Sequence, residues 1–163
     1  PITVSSHNPT YAGVLGLEAF IHSSLEKNFK SLSKPLSEIM ATQLLTCSPE
    51  DEVDNIWRLM QGRSFAGLPV VKKGKLIGMV TQKDLLDTGT VFPGFEARKG
   101  RFRVSPKISS IMKTSVTSLN PTATVKEAAE LMLKKNIGRV PIVDEKGTLI
   151  GIVDREDIAR ALL

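Results

Sequence analysis

Leu76-Ile77-Gly78-Met79-Val80-Thr81-Gln82-Lys83-Asp84 returns, 73 residues later, as Leu149-Ile150-Gly151-Ile152-Val153-Asp154-Arg155-Glu156-Asp157. Each version is a short apolar strand holding a glycine and closed by a hydroxyl or carboxylate. An aspartate follows three residues later, where a helix should start. Positions three apart are neighbours on a helix, so Thr81 and Asp84 share one side of its first turn. Two roles fit such a set. One is a capping box that only stabilises the helix. The other is a ligand site, in which a side-chain oxygen, a carboxylate and free backbone N–H groups receive the sugar and phosphate of a nucleotide. One copy alone favours the cap; the repetition brings the ligand reading forward.

Working outward, the similarity continues. At an offset of 72, Ile39-Met40 falls on Ile111-Met112, Thr42 on Thr114, Pro49 on Pro121, Val53 on Val125, Leu59-Met60 on Leu131-Met132 and Pro69 on Pro141. One inserted residue in the second turn moves the offset to 73, and Asp84 then meets Asp157. Matches in one order over this distance mark a duplicated unit. Each copy is expected to run β-α-β-β-α. A first strand (Leu44–Thr46; Val116–Leu119) leads to a proline-marked turn. A helix follows, with Val53, Ile56, Trp57 and Met60 as its buried stripe, or Val125, Ala128, Ala129 and Met132 in the second copy. Thr124 with Glu127 forms a capping box, and Asp51 is expected to cap the first copy's helix. Gly62 and Gly138 are placed near the helix ends, where left-handed backbone is common. Tight turns at Lys73-Gly74-Lys75 and Glu145-Lys146-Gly147 join the paired strands as hairpins. A unit this small buries little apolar surface alone, so the two copies are expected to pack together.

Upstream, residues 1–12 read as an irregular arm. Val14, Leu17, Ile21, Leu25, Phe29 and Leu32 then give one apolar stripe, which predicts a helix from Val14 to Leu32. Its expected job is to pack on the main body or on a partner chain. A first residue of Pro1 in place of Met fits a chain trimmed or cut from something longer. The composition, 41% apolar and 24% charged, is that of a soluble globular protein. No apolar run reaches the length of a membrane span and nothing resembles a signal peptide. The lone Cys47 provides neither an internal disulfide nor a zinc site, which makes a cytoplasmic location the default. His7 and His22 have no metal-ligand spacing around them and read as surface residues. A formal charge of +5 favours anionic partners without choosing among them.

The Ile-Met starts, the Pro-x-x-Thr-Val-x-Glu-Ala-Ala helix opening of the second copy, Gly138-Arg139-Val140-Pro141 and the two glycine-to-aspartate endings together resemble a tandem pair of cystathionine-β-synthase (CBS) domains, a Bateman module. The resemblance implies an α+β fold of two β-α-β-β-α repeats related by a pseudo-two-fold axis, their sheets packed together with two clefts between them. It divides the chain into an arm and amphipathic helix (1–36), CBS motif 1 (37–88), a basic linker (89–107) and CBS motif 2 (108–163). It also implies further association into a homodimer, and clefts that bind AMP, ADP, ATP or S-adenosylmethionine as regulatory ligands, reporting to an effector protein.

Carried over residue by residue, the resemblance puts Asp84 on a ribose diol and Thr81 near ribose or phosphate, with Lys83 favouring an anion. The second copy departs, having Asp154 where the first has Thr81. Asp154 still suits a helix cap but adds negative charge, which Arg155 and Arg139 are expected to offset. The cleft closed by Asp154 and Asp157 is therefore expected to take adenosine or a cationic adenosyl ligand, or none. Thr42, Leu44 and Leu45, with Thr114 and Val116, match the segments that recognise adenine. Leu68-Pro69 and Val140-Pro141 match the opposite walls. Apolar walls with few polar anchors suit a small-molecule cleft, although Leu68, Val140 and Ile142 fit plain core equally well. Arg139 matches a position that often meets phosphate.

The linker interleaves Arg98, Lys99, Arg101 and Arg103 with Phe92, Phe95 and Phe102, a mixture that also suits single-stranded nucleic acid. A loop packed on its neighbours is the preferred reading. No nucleophile with a base, no metal cluster and no Walker-type loop stands out. The expected function is thus a non-enzymatic, adenosyl-ligand-sensing module. The alternative is a scaffold or nucleic-acid-interaction protein acting through the basic 98–107 linker.

Overall fold

The computed structural model describes residues 2–3, 11–13, 16–27, 30–63, 65–89 and 105–163. In order, the strands and α-helices are β1 (Ile2–Thr3), β2 (Tyr11–Gly13), α1 (Leu17–Glu26), α2 (Val53–Arg63), β3 (Gly67–Lys72), β4 (Lys75–Thr81), α3 (Gln82–Asp87), α4 (Val125–Lys135), β5 (Arg139–Val143), β6 (Leu149–Asp154) and α5 (Arg155–Leu162). The fold is α+β. Among the described residues, the sheets are three two-stranded ladders, β1-β2, β3-β4 and β5-β6.

The chain divides into two compact units, and their membership cuts across the repeat. One unit comprises residues 43–117 and 143–149, the other residues 1–42, 118–142 and 150–163. The segment that opens each repeat is therefore housed with the hairpin of the other. The first unit will be called the Asp84 unit and the second the Asp157 unit.

In the Asp84 unit, Val53, Ile56, Trp57 and Met60 of α2 pack with Leu68, Val70, Val80, Leu85, Cys47 and Ile108. The expected stripe is the one that is buried. The β3-β4 hairpin closes through Lys73 and Gly74, both at positive φ (51° and 79°), the backbone that suits a two-residue turn between twisted strands. A register shift between Val70 and Val71 bulges the ladder. Asp51 does not cap α2: its carboxylate accepts the Ser48 N–H at 2.8 Å. The leading amides of α2 have other partners, with Val53 N–H donating to the Pro106 carbonyl at 3.0 Å and Asp54 N–H to the Ser105 hydroxyl at 3.1 Å. Orphan donors at a helix start take whatever acceptor tertiary packing supplies.

In the Asp157 unit, Val125, Ala128, Ala129 and Met132 of α4 pack with Val140, Ile142, Val153, Ile158, Leu162, Leu36 and Ile21. The Thr124–Glu127 capping box forms as expected. The helix stripe upstream is shorter than its periodicity predicts. α1 ends at Glu26, while Leu32 is buried in a separate 3₁₀ turn, Lys30–Ser33. Val14 and Phe29 lie outside the described residues. The residues beyond α1 are drawn into extended contacts instead: Val125 N–H donates to the Lys34 carbonyl at 2.9 Å, and Leu36 N–H to the Ala123 carbonyl at 2.8 Å. Of the expected irregular arm, the described residues pair as β1 and β2.

Two further expectations are corrected. The first strand of each copy shrinks to a single parallel bridge, Cys47 with Val70 and Leu119 with Ile142. Pro49 and Pro121, two residues on, have no N–H with which to extend the ladder. Gly62 lies inside α2, and neither it nor Gly138 has positive φ; the left-handed position after α4 is held by Asn136 at φ 49°. Asparagine tolerates that conformation better than most residues with a Cβ.

Candidate functional site

Thr81 is the last residue of β4 and the N-cap of α3. Its hydroxyl donates to Asp84 Oδ2 at 2.6 Å and its N–H donates to the same oxygen at 2.8 Å, while Asp84 N–H donates back to the hydroxyl at 3.2 Å. The capping box is therefore real. It leaves Oδ1, which faces the Lys113 ammonium at 3.1 Å. The Asp84 side chain is only 10% exposed, against 68% for Lys113.

Lys113 carries no part in the strand-end motif. It arrives because its N–H donates to the Met79 carbonyl and its carbonyl accepts the Met79 N–H, both at 2.9 Å. Met112 lies directly against Gly78, where an added Cβ would stand 2.9 Å from the Met112 sulfur and 3.1 Å from the Lys113 carbonyl oxygen. The glycine inside the strand thus serves close approach of a second segment. The signal available in the sequence was the repeated Gly78/Gly151 paired with the repeated Ile-Met. It says that something passes closely over the strand, without saying what.

The Asp84 unit also gathers Leu44, Leu45, Leu68, Pro69, Lys83, Thr114 and Val116. Leu68 and Pro69 are buried, Leu44, Leu45 and Val116 half-buried, and Thr114 exposed. Lys83 points its ammonium at Asp87 at 2.7 Å on the exposed face of α3. Thr42, also exposed, belongs to the other unit.

The Asp157 unit holds Arg139, Val140, Pro141, Asp154, Arg155 and Asp157. Asp154 caps α5, accepting from Glu156 N–H at 2.9 Å and Asp157 N–H at 3.0 Å, while Asp157 Oδ2 accepts the Asp154 N–H at 3.0 Å. Asp157 Oδ1 meets Arg160 Nη1 at 3.2 Å. Arg155 does not balance Asp154. Its guanidinium reaches Glu18 at 3.2 Å and Asn136 at 3.3 Å, with Nε buried and unpaired. Arg139 is half-buried, and its side chain makes no hydrogen bond or ion pair among the described residues. Val140 and Ile142 are fully buried core. The residue matching Lys113 is Ala41, which exchanges the same two backbone hydrogen bonds with Ile152, at 2.9 and 3.0 Å.

The two aspartates differ in their titration. Burial pushes Asp84 up, but the Thr81 hydroxyl and N–H and the Lys113 ammonium outweigh it and hold the carboxyl below its ordinary 3.8. Burial, reinforced by the Asp154 charge, raises Asp157 above 3.8 despite the Asp154 N–H and Arg160. A depressed carboxyl contributes stability above its unfolded value and loses it as pH falls through the folded value; a raised one acts in reverse. Asp84→Asn is therefore expected to lower stability at pH 7 by about 1 kcal/mol, the scale of a lost cap or charge-assisted bond. Its deficit should narrow below pH 3.8. Asp157→Asn should be neutral or stabilising at pH 7. Urea titrations of both variants at pH 7 and pH 3 test this, and a loss of equal size in both would refute it.

Among the described residues, no group of three His, Cys, Asp or Glu could hold a metal ion, and no helix is long and apolar enough to cross a membrane.

Two hairpin-and-helix units, each ending in an aspartate boxed to the strand end before it, define a tandem-repeat domain. Residues 36–89 and 108–163 match the CBS domain family, and the chain belongs to that family. It is 34% identical over 124 residues to the CBS domain-containing protein YhcV of Bacillus subtilis, covering 76% of this chain and 82% of that one. It is 31% identical over 131 residues to inosine-5'-monophosphate dehydrogenase of Korarchaeum cryptofilum, where 80% of this chain spans a quarter (25%) of the relative. Among solved structures, the CBS domain pair of protein MJ0100 in complex with 5'-methylthioadenosine and S-adenosyl-L-methionine superposes with a TM-score of 0.63 at 26% identity, covering 78% of this chain and 94% of that one. CBSX2 in complex with AMP superposes at 0.66 and 25% identity, with coverage of 78% and 94%.

Proposed function

We propose that this chain is a non-enzymatic regulatory module that binds an adenine nucleotide or another adenosyl ligand (AMP, ADP, ATP or S-adenosylmethionine) beside Asp84 and signals occupancy through altered packing. The observation that carries this reading is a largely buried carboxylate with one oxygen fixed by its own helix cap and the other facing an exposed ammonium. A ribose diol is a suitable replacement partner for Oδ1, because a carboxylate accepts strongly from hydroxyl donors. Support comes from the MJ0100 pair, solved with adenosyl compounds, and from CBSX2, solved with AMP. Signalling requires the ligand to bind two states unequally, since tight binding alone shifts nothing. A homodimer, an effector protein and a cytoplasmic setting belong to the same proposal.

Thermal melts with AMP, ATP, S-adenosylmethionine and a short RNA provide the test. A ligand at 100 times its Kd should add about 2.7 kcal/mol of stability. Asp84→Ala should abolish the shift while leaving the chain folded. Silence from every adenosyl compound, with a shift from RNA, would move the function to the basic 98–107 linker, of which residues 98–104 lie outside the described structure.

A further inference from the structure

We propose that Lys113 sets the ligand class of the Asp84 site, making it selective for nucleosides that carry a phosphate over neutral or sulfonium adenosyl compounds. This inference rests on the reading of that site as an adenosyl site.

Three observations point to it. First, Lys113 is held in place by its backbone and exposed along its side chain. Both of its main-chain groups are bonded to Met79, while its side chain is 68% exposed and ends 3.1 Å from Asp84 Oδ1. Second, the fold does not need a cation there. Ala41 makes the matching backbone bridge to Ile152 in the other unit, and the carboxylate matching Asp84 is served instead by Arg160 from its own helix. Third, Asp84 Oδ2 is already occupied by Thr81, so a ligand hydroxyl must engage Oδ1, the oxygen that Lys113 now holds.

The charge balance then decides the ligand. A diol that takes Oδ1 displaces the ammonium or shares the oxygen with it. A phosphate on the same ligand supplies a new anion for an ammonium on a flexible four-carbon stem, so one charge-assisted bond is exchanged for another. Adenosine offers no such exchange. The sulfonium of S-adenosylmethionine brings a second positive charge towards Lys113. The cation on the helix that carries Asp84, Lys83, is paired with Asp87 and does not change the balance.

Calorimetric titration of the full chain with AMP, adenosine and S-adenosylmethionine tests the assignment, counting the binding that Asp84→Ala removes. The wild-type chain should prefer AMP to adenosine by about tenfold or more, the scale of one hydrogen bond to a charged group. Lys113→Met, which keeps the stem and removes the charge, should bring the AMP-to-adenosine affinity ratio close to one. Lys113→Arg should keep most of the preference. An AMP-to-adenosine ratio unchanged in Lys113→Met overturns the role of Lys113 and leaves the adenosyl site standing. No binding of any of the three by the wild-type chain, or binding that survives Asp84→Ala undiminished, overturns both.

Discussion

Gly78→Val is expected to destabilise the chain by about 3 kcal/mol and, for a domain of this size, to lower Tm by roughly 10 °C. The reason is a backbone obstacle rather than a crowded side chain. A Cβ at Gly78 stands 3.1 Å from the Lys113 carbonyl oxygen, which is itself bonded to Met79 N–H at 2.9 Å. The Met112 thioether, also in the way, can rotate aside. The carbonyl cannot move without breaking both Met79–Lys113 hydrogen bonds, each worth about 0.5–1.5 kcal/mol net, and overpacking adds about 1–3 kcal/mol. At Gly151 the obstruction is different, because the three atoms nearest a Cβ there all belong to the Met40 side chain. Truncation at Met40 should therefore rescue much of Gly151→Ala, whereas Met112→Ala should rescue little of Gly78→Val. Equal rescue at both positions, read by chemical denaturation, would refute this account. Gly78→Val should also withdraw Lys113 from Asp84, so under the proposed function AMP binding should fall along with stability.

Leu36→Ala is expected to cost about 2–5 kcal/mol, the range for emptying a fully buried leucine site. The location of the loss is more informative than its size. Leu36 stands at the doorstep of the first repeat, yet its side chain is in the core formed by α4, β5, β6 and α5, and its N–H is bonded to Ala123. Amide hydrogen exchange should therefore accelerate in α4 and α5 before α2. Ile108, the matching residue of the second repeat, is fully buried with α2 and Leu85. Ile108→Ala should produce the reverse pattern. If Leu36→Ala loosens α2 and α3 first, the division of the chain into these two units is wrong.

Much of the local structure was legible because local rules govern it. Val53, Ile56, Trp57 and Met60 lie on one helical face, and Thr124 with Glu127 closes a cap, for reasons contained within a few residues. Asp51 shows where that stops. As a side chain just before a helix it looked like a cap, but Pro106 and Ser105 already occupied the amides it would have served. The helix predicted over Val14–Leu32 is shorter for a related reason: hydrophobic spacing persists to Leu32, but α1 ends at Glu26, and further on the Lys34 carbonyl accepts the Val125 N–H and Leu36 N–H donates to the Ala123 carbonyl. At the site, Thr81 and Asp84 were readable as a pair. Lys113, 29 positions beyond Asp84, was not, since no short-range pattern connects them.

By itself, the order of residues determined a duplicated α+β unit, its hairpins, its helix stripes and the strand-end aspartates. Those follow from periodicity, turn chemistry and self-similarity, all of which act along the chain. Only the tertiary structure decided that the opening segment of each repeat joins the hairpin of the other. Only it placed an ammonium against Asp84 and an alanine at the matching position across β6. Such choices depend on which distant backbone lies over a glycine, where closest approach, not sequence neighbourhood, selects the partner.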